Sequence, residues 1–201
     1  MAIEAVIFDI GGVLVRTVDW SFRRRWEQQL GLPEGGLSAL VFDTEQAMLA
    51  STGKAVDKLI WQHVSSQLRL TDAELTALHT DFWTGDAANL EMIAYLQGLR
   101  HRFKTGILSN AWPEMRTLNE NQFGLRGVVD SALYSFQIGY LKPVPATYEA
   151  ILSQLTVAPQ NAVFIDDSIV NIGGAQRLGM QTVHFLQTEQ AITELQAILV
   201  P

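Results

Sequence analysis

Cysteine is absent from the 201 residues. That excludes disulfides, thiolate zinc sites and a cysteine nucleophile, and it fits a reducing compartment. Basic residues are few: 14 Lys and Arg stand against 21 Asp and Glu, a formal charge of −7 with a pI near 5.0. This balance argues against nucleic acid or an anionic membrane surface as the main partner. No apolar run approaches the ~20 residues that a spanning helix needs. The first ten residues lack a basic leader and carry Glu4 and Asp9 inside their apolar stretch. No targeting segment is therefore expected, and a cytoplasmic location is the default. The four histidines, His63, His79, His101 and His184, are scattered without ligand spacing, which speaks against a histidine metal centre. Internal repeats and low-complexity segments are also missing.

Hydrophobic residues make up 48% of the chain, with nine Phe and five Trp. This is ample for a buried core and incompatible with a disordered chain. Ala5 to Ile10 is a short apolar run with β-branched and aromatic members that meets Asp9 and then Gly11-Gly12. It reads as a buried strand opening into a tight turn. Similar runs follow at Lys104 to Leu108, Ala132 to Phe136, Ala162 to Ile165 and Thr182 to Leu186, as in parallel sheets covered on both faces. Helical spacing over Asn89 to Leu99, Pro113 to Phe123, Ala146 to Leu155, Ile169 to Leu178 and Glu189 to Leu199 separates them. The alternation predicts a doubly wound α/β sheet.

The stretch between the first strand and Thr84 breaks that alternation. It reads as helices only: Trp20 to Leu30, Leu37 to Ala50, Val56 to Leu68 and Asp72 to Phe82. Gly31-Leu32-Pro33 and Ser51-Thr52-Gly53 separate some of them, and Thr71-Asp72-Ala73-Glu74 has the form of a capping box. The expected organisation is a core of residues 1–15 and 85–201 with an α-helical cap, 16–84, inserted after the first strand. Such an insertion would lie over the carboxyl ends of the strands, where doubly wound proteins bind ligands.

Four clusters fall just beyond inferred strands: Asp9 with Gly11-Gly12, Ser109-Asn110, Lys142-Pro143, and Asp166-Asp167-Ser168 with Asn171 following. Singly, each reads as a turn, a surface residue or a helix cap. Together, on a parallel sheet, they converge on one crevice, and the set suits phosphoryl transfer. A carboxylate can attack phosphorus and split one hard displacement into two. Magnesium takes oxygen ligands with few carboxylates. A hydroxyl and backbone N–H groups can hold phosphate oxygens, and an ammonium can neutralise charge on the transferring group.

The segments Phe8-Asp9-Ile10-Gly11-Gly12, Leu108-Ser109-Asn110, Gly139-Tyr140-Leu141-Lys142-Pro143 and Phe164 to Gly179 with Asp166-Asp167 resemble the four ordered motifs of the haloacid dehalogenase-like superfamily. The likeness covers essentially the whole chain. The helical insertion matches the C1 cap of that superfamily, and Phe8-Asp9-Ile10-Gly11 is similar to the first motif of its sugar-phosphate phosphatases. The resemblance implies that Asp9 is the nucleophile and a magnesium ligand, joined by the carbonyl of Gly11 and by Asp167. Asp166 and Asn171 would act nearby or through water. Ser109, Asn110 and Gly12 would bind phosphate, and Lys142 would stabilise the nucleophile and the transition state. The implied activity is a Mg2+-dependent phosphatase acting on a small phosphorylated metabolite through an aspartyl-phosphate, with sugar phosphates among the candidates. Such proteins occur as monomers or homodimers.

One position departs from the pattern. Most phosphatases of the superfamily carry a second Asp, the general acid and base, where this chain has Gly11. Three readings follow. The chain is a phosphatase with a good leaving group, or with a borrowed cap residue such as Asp19 or His63. It is a 2-haloacid dehalogenase, a branch that also lacks the second Asp, although the intact Asp166-Asp167 pair opposes this. Or it is a catalytically weak module that binds a phosphorylated ligand. Within the cap, Trp20, Phe22, Arg23 to Arg25 and Trp26 form an aromatic–basic cluster. Helical spacing assigns Phe22 and Trp26 to the core and leaves the arginines solvated.

Overall fold

A computed structural model describes residues 2–199. The chain opens with β1 (Ala5–Phe8) and β2 (Val15–Thr17). It then runs through α1 (Ser21–Leu30), α2 (Gly36–Phe42), α3 (Glu45–Ser51), α4 (Lys58–Leu68) and α5 (Asp72–Thr84) to reach β3 (Asp86–Ala88). Strands and helices alternate afterwards: α6 (Leu90–Leu99), β4 (Lys104–Ser109), α7 (Pro113–Thr117), β5 (Ser131–Tyr134), α8 (Ser135–Ile138), α9 (Pro145–Leu155), β6 (Ala162–Asp166), α10 (Ile169–Arg177), β7 (Gln181–His184) and α11 (Thr188–Leu199).

The main sheet has five parallel strands in the order β5-β4-β1-β6-β7. β1 is buried on both faces because its side chains alternate between two apolar layers. Val6 and Phe8 pack with Met92 and Leu96 of α6 and Leu195 of α11. Ala5 and Ile7 pack with Ile151 and Leu155 of α9 and Ile172 of α10. Register then sets the site: Phe8 lies opposite Ile107 of β4 and Ile165 of β6. Asp9, Ser109 and Asp166 accordingly leave the sheet at nearly one level.

The helical insertion has its own apolar centre, built from Leu37, Val41, Ile60, Val64, Leu78 and Phe82. Trp112, from the loop after β4, completes it from the core side. The Thr71 capping box forms as expected, with Thr71 accepting from the Glu74 backbone and Glu74 accepting from the Thr71 backbone. The helix expected over Leu37 to Ala50 is two helices. The Thr44 side chain caps the second by accepting from the Ala47 N–H at 3.2 Å, a local bond that competes with helix continuation. The Pro113 to Phe123 helix changes character as well, because Leu118–Gln122 winds as a π-helix.

Two strands were not legible. β2 and β3 pair antiparallel where the chain enters and leaves the insertion, with Thr17 opposite Asp86. Arg23, expected in solvent, is buried. Its Nη2 contacts both Asp86 oxygens at 3.0 and 3.1 Å, and its Nε donates to the Phe82 carbonyl at 3.0 Å. Arg24 and Arg25 are exposed as expected, and Phe22 and Trp26 are half-buried. Breaking a buried ion pair from one side leaves an uncompensated charge, so Arg23→Met should lower stability by about 3–5 kcal/mol. Urea unfolding checks this, and a loss below ~1 kcal/mol would contradict the assignment.

Candidate active site

The crevice at the carboxyl ends of β1, β4 and β6 gathers the sequence-selected side chains. Asp9 follows β1 directly; its Oδ1 accepts from the Ile10 N–H at 2.7 Å and lies 2.7 Å from Lys142 Nζ. The same ammonium reaches Asp166 Oδ2 at 2.7 Å. Asp166 is fully enclosed. Besides Lys142 it accepts from the Ser168 N–H at 2.8 Å and from Asn171 Nδ2 at 3.0 and 3.1 Å. Its oxygens are thus committed to protein donors. Asp167, at the surface beside it, is open to a ligand.

One carboxylate oxygen from each of Asp9, Asp166 and Asp167 can be chosen so that all three lie within 4.8 Å of one another. Three carboxylates against one ammonium leave two negative charges uncompensated, the charge of one divalent cation. The titration behaviour reflects that excess. Burial, reinforced by Asp166, pushes the Asp9 carboxyl up to about 7 against the pull of Lys142. Burial and then Asp166 also raise Asp167. Burial opposes the charge on Lys142, but Asp9 and Asp166 together lift it above the ordinary lysine range. The donor set is all oxygen on the ligand side, as magnesium prefers.

Gly12 has φ +76°, and a Cβ there would stand 2.0 Å from Asp167 Oδ2. Only glycine permits both the turn and this approach of the first loop to the acidic pair. Gly11 is different: a Cβ at that position meets nothing within 4 Å. Ser109 is buried at the end of β4. The Asn110 side chain is bound to the Lys142 main chain, donating to its carbonyl at 3.1 Å and accepting from its N–H at 2.8 Å. Its amide therefore braces the lysine loop.

Further residues hold Lys142 that sequence reasoning did not single out. The Phe164 ring lies 5.3 Å from Nζ. Tyr148 donates to the Asn171 carbonyl at 2.8 Å and packs against Phe164. α10 can sit this close because of Gly174, where a Cβ would stand 2.6 Å from the Tyr148 hydroxyl and 2.8 Å from Pro143. A glycine inside an otherwise helical pattern was the available signal.

A cavity of about 190 Å³ starts at Ile10, Gly11 and Gly12 and runs beneath the helical insertion. Neither Asp19 nor His63 lines it; Asp19 accepts from the Ser21 N–H at the start of α1. Beyond Phe42, which lines both, a more open depression leads to Asn110 and Leu141. On the outer side, Glu114 joins insertion and core. It pairs with His79 of α5 and accepts from Trp61 of α4 at 3.0 Å and from Trp112 at 3.3 Å. Its own N–H donates to Asp57 at 3.0 Å. Burial works against the charge, yet the bonds from His79 and Trp61 hold Glu114 below the usual carboxylate range.

The sequence model of a family described as haloacid dehalogenase-like hydrolase matches residues 3–179. The chain is 27% identical over 194 residues to D-ribitol-5-phosphate phosphatase of Bacteroides thetaiotaomicron, covering 90% of each chain. It is 25% identical to the sesquiterpene phosphatase AstK of Aspergillus oryzae, covering 98% of this chain and 96% of the other. Its fold matches that of a family enzyme from Bacteroides thetaiotaomicron in complex with magnesium and inorganic phosphate. The TM-score is 0.73 at 18% identity, over 90% of this chain and 93% of that one.

Proposed function

The chain belongs to the haloacid dehalogenase-like hydrolases, and from that premise we propose that it is a magnesium-dependent phosphomonoesterase working through an aspartyl-phosphate on Asp9. The observation that carries this reading is the charge imbalance at the crevice: Asp9, Asp166 and Asp167 around a single Lys142. A halide-displacing site has no use for two uncompensated negative charges, so the acidic pair favours phosphoryl transfer over dehalogenation. The named phosphatases among the relatives support the same choice. Residues 16–84 would act as a cap over a core of 1–15 and 85–201.

Asp9 and Asp167 would hold the magnesium directly, with the Gly11 carbonyl, while Asp166 would keep Lys142 and Asn171 in place. When bound, the metal supplies a positive charge that draws the substrate phosphate toward Asp9 and stabilises the transferring group. Lys142, held between two carboxylates and over the Phe164 ring, presents a fixed ammonium to the equatorial oxygens. Ser109 and the backbone N–H groups near Gly12 and Asn110 orient the phosphate so that the free Asp9 oxygen faces phosphorus in line with the leaving oxygen.

Metal binding should be visible without turnover. At 100 times its Kd, magnesium should stabilise the protein by about 2.7 kcal/mol. The effect should grow as pH rises through 7, because a proton on Asp9 competes with the ion. Asp167→Asn should abolish the gain. Thermal unfolding with and without magnesium at pH 5.5 and 8 checks both statements. An equal gain in the variant would remove Asp167 from the metal shell.

A further inference from the structure

Resting on the phosphatase reading, the geometry points to a narrower substrate class: a phosphomonoester of a single-ring, largely apolar, weakly basic alcohol, with Phe42 setting the ring-size limit. The cavity that begins at Ile10, Gly11 and Gly12 abuts the loop carrying Asp9, so it is where the organic part of a bound phosphoester would lie. Its walls are Val15, Phe42, Trp83, Met115, Leu118 and Phe123. At about 190 Å³ it is somewhat larger than the ~150 Å³ cavity that accommodates benzene. That volume matches one six-membered ring with a substituent, and a fused bicycle would crowd Phe42.

The polar groups in this cavity are few and mostly committed. Arg23 and Asp86 are paired through two contacts, and Thr17 donates to Asp86 at 2.6 Å. The Trp83 indole N–H lines the cavity buried and without a hydrogen-bond partner among the described residues, and Asn119 of the π-helical stretch lies beside it. These two groups can read one or two oxygen atoms on the ring. A polyol chain would bury several hydroxyls with no partner, and unpaired buried hydroxyls are unfavourable.

The same inventory limits the chemistry. Among the residues lining the cavity, Arg23 and Asp86 are the only ionisable ones, and they hold each other. No side chain there is free to protonate a departing oxygen. Asp9 attacks phosphorus, the P–O bond to the ring breaks, and the electron pair leaves on the ring oxygen, which takes its proton from water. Water then attacks the phosphorus of the aspartyl-phosphate, the Asp9–P bond breaks, and the Asp9 carboxylate returns. The sum is ester plus water giving the hydroxyl ring compound and phosphate. Both leaving groups, an aryloxide and a carboxylate, are weak bases, so both steps can proceed without a positioned acid.

Phe42 stands between this cavity and the open depression at Asn110. It packs against Phe82, Trp83 and Trp112 at centroid distances of 5.6, 6.1 and 5.7 Å. Removing its ring would join the two spaces.

The test is a kcat/KM series on the whole chain with magnesium, using phenyl, cyclohexyl and 1-naphthyl phosphate and ribitol 5-phosphate. Wild type should favour phenyl over cyclohexyl phosphate by ~10²-fold or more, and should favour it over ribitol 5-phosphate at least ~10-fold. Because phenyl esters are intrinsically more labile, the decisive comparison is Gly11→Asp, where the phenyl-to-cyclohexyl gap should narrow. Phe42→Ala, or Phe42→Leu if the first unfolds, should raise the 1-naphthyl-to-phenyl ratio of kcat/KM ~10-fold. A polyol preference, a constant gap in Gly11→Asp, or no naphthyl gain would overturn the inference and leave the phosphatase reading standing. Failure to hydrolyse any ester overturns both.

Discussion

Asp9→Asn should abolish turnover while leaving the protein folded. The substitution is isosteric, and Lys142 keeps Asp166 as a partner at 2.7 Å. What would disappear is the proposed attacking oxygen and one negative ligand for the proposed metal. The expected loss in kcat is on the order of 10⁴–10⁶-fold, the range seen when a residue of a nucleophilic assembly is removed. A variant retaining one tenth of wild-type activity would exclude an aspartyl-phosphate on this residue.

The same variant has a signature in stability. In the folded protein the Asp9 carboxyl is raised from 3.8 to about 7, chiefly by burial. Between those values the folded state binds more protons than the unfolded chain, so its stability falls as pH rises. The contribution is fully present below pH ~4 and lost as pH passes ~7. Asp9→Asn removes it. The metal-free variant should therefore be more stable than wild type at pH 8, with a flatter profile between pH 4 and 7. Asp167, also raised by burial, should leave a residual slope of the same sign. Chemical denaturation across pH in EDTA measures this, and a steeper profile in the variant would reverse the assignment.

Gly11→Asp should increase activity. A Cβ at this position meets no atom within 4 Å, and its φ lies outside the left-handed region, so an aspartate enters without strain. It would stand at the mouth of the cavity, whose described lining residues include no unpaired ionisable group. Positioned acid–base groups contribute 10²–10⁴-fold, and the gain should be largest for esters of strongly basic alcohols. Rates for cyclohexyl phosphate in the two proteins give the answer directly. Equal rates would mean that proton transfer does not limit hydrolysis here.

The parallel sheet was legible because its strands are fully buried, so composition alone marks them, and their ends carry the acidic, hydroxyl and ammonium groups. The capping box at Thr71 was legible because both of its bonds lie within four residues. The pieces that escaped depend on partners remote in the chain. β2 and β3 are three residues each and exist by pairing with one another; Asp86-Ala87-Ala88 has little intrinsic strand preference. Arg23 is buried because Asp86, 63 positions away, meets it. At Thr44 a local side-chain bond overrides a periodicity that continues through it. The resemblance gives Asn110 a phosphate-binding role, and the span of its side-chain amide to the Lys142 backbone is a contact that no spacing rule reveals.

Glu114 carries a mechanical consequence. A single carboxylate collects His79 from α5, Trp61 from α4 and Trp112 from its own loop, while its N–H is held by Asp57. The bonds from His79, Trp61 and Trp112 share one half-buried carboxylate, so losing that group would leave two indole N–H groups and a histidine without their partner. The helical layer is latched rather than hinged loosely. A change at Glu114 alone would therefore be felt by two of its helices and by the loop after β4 at once.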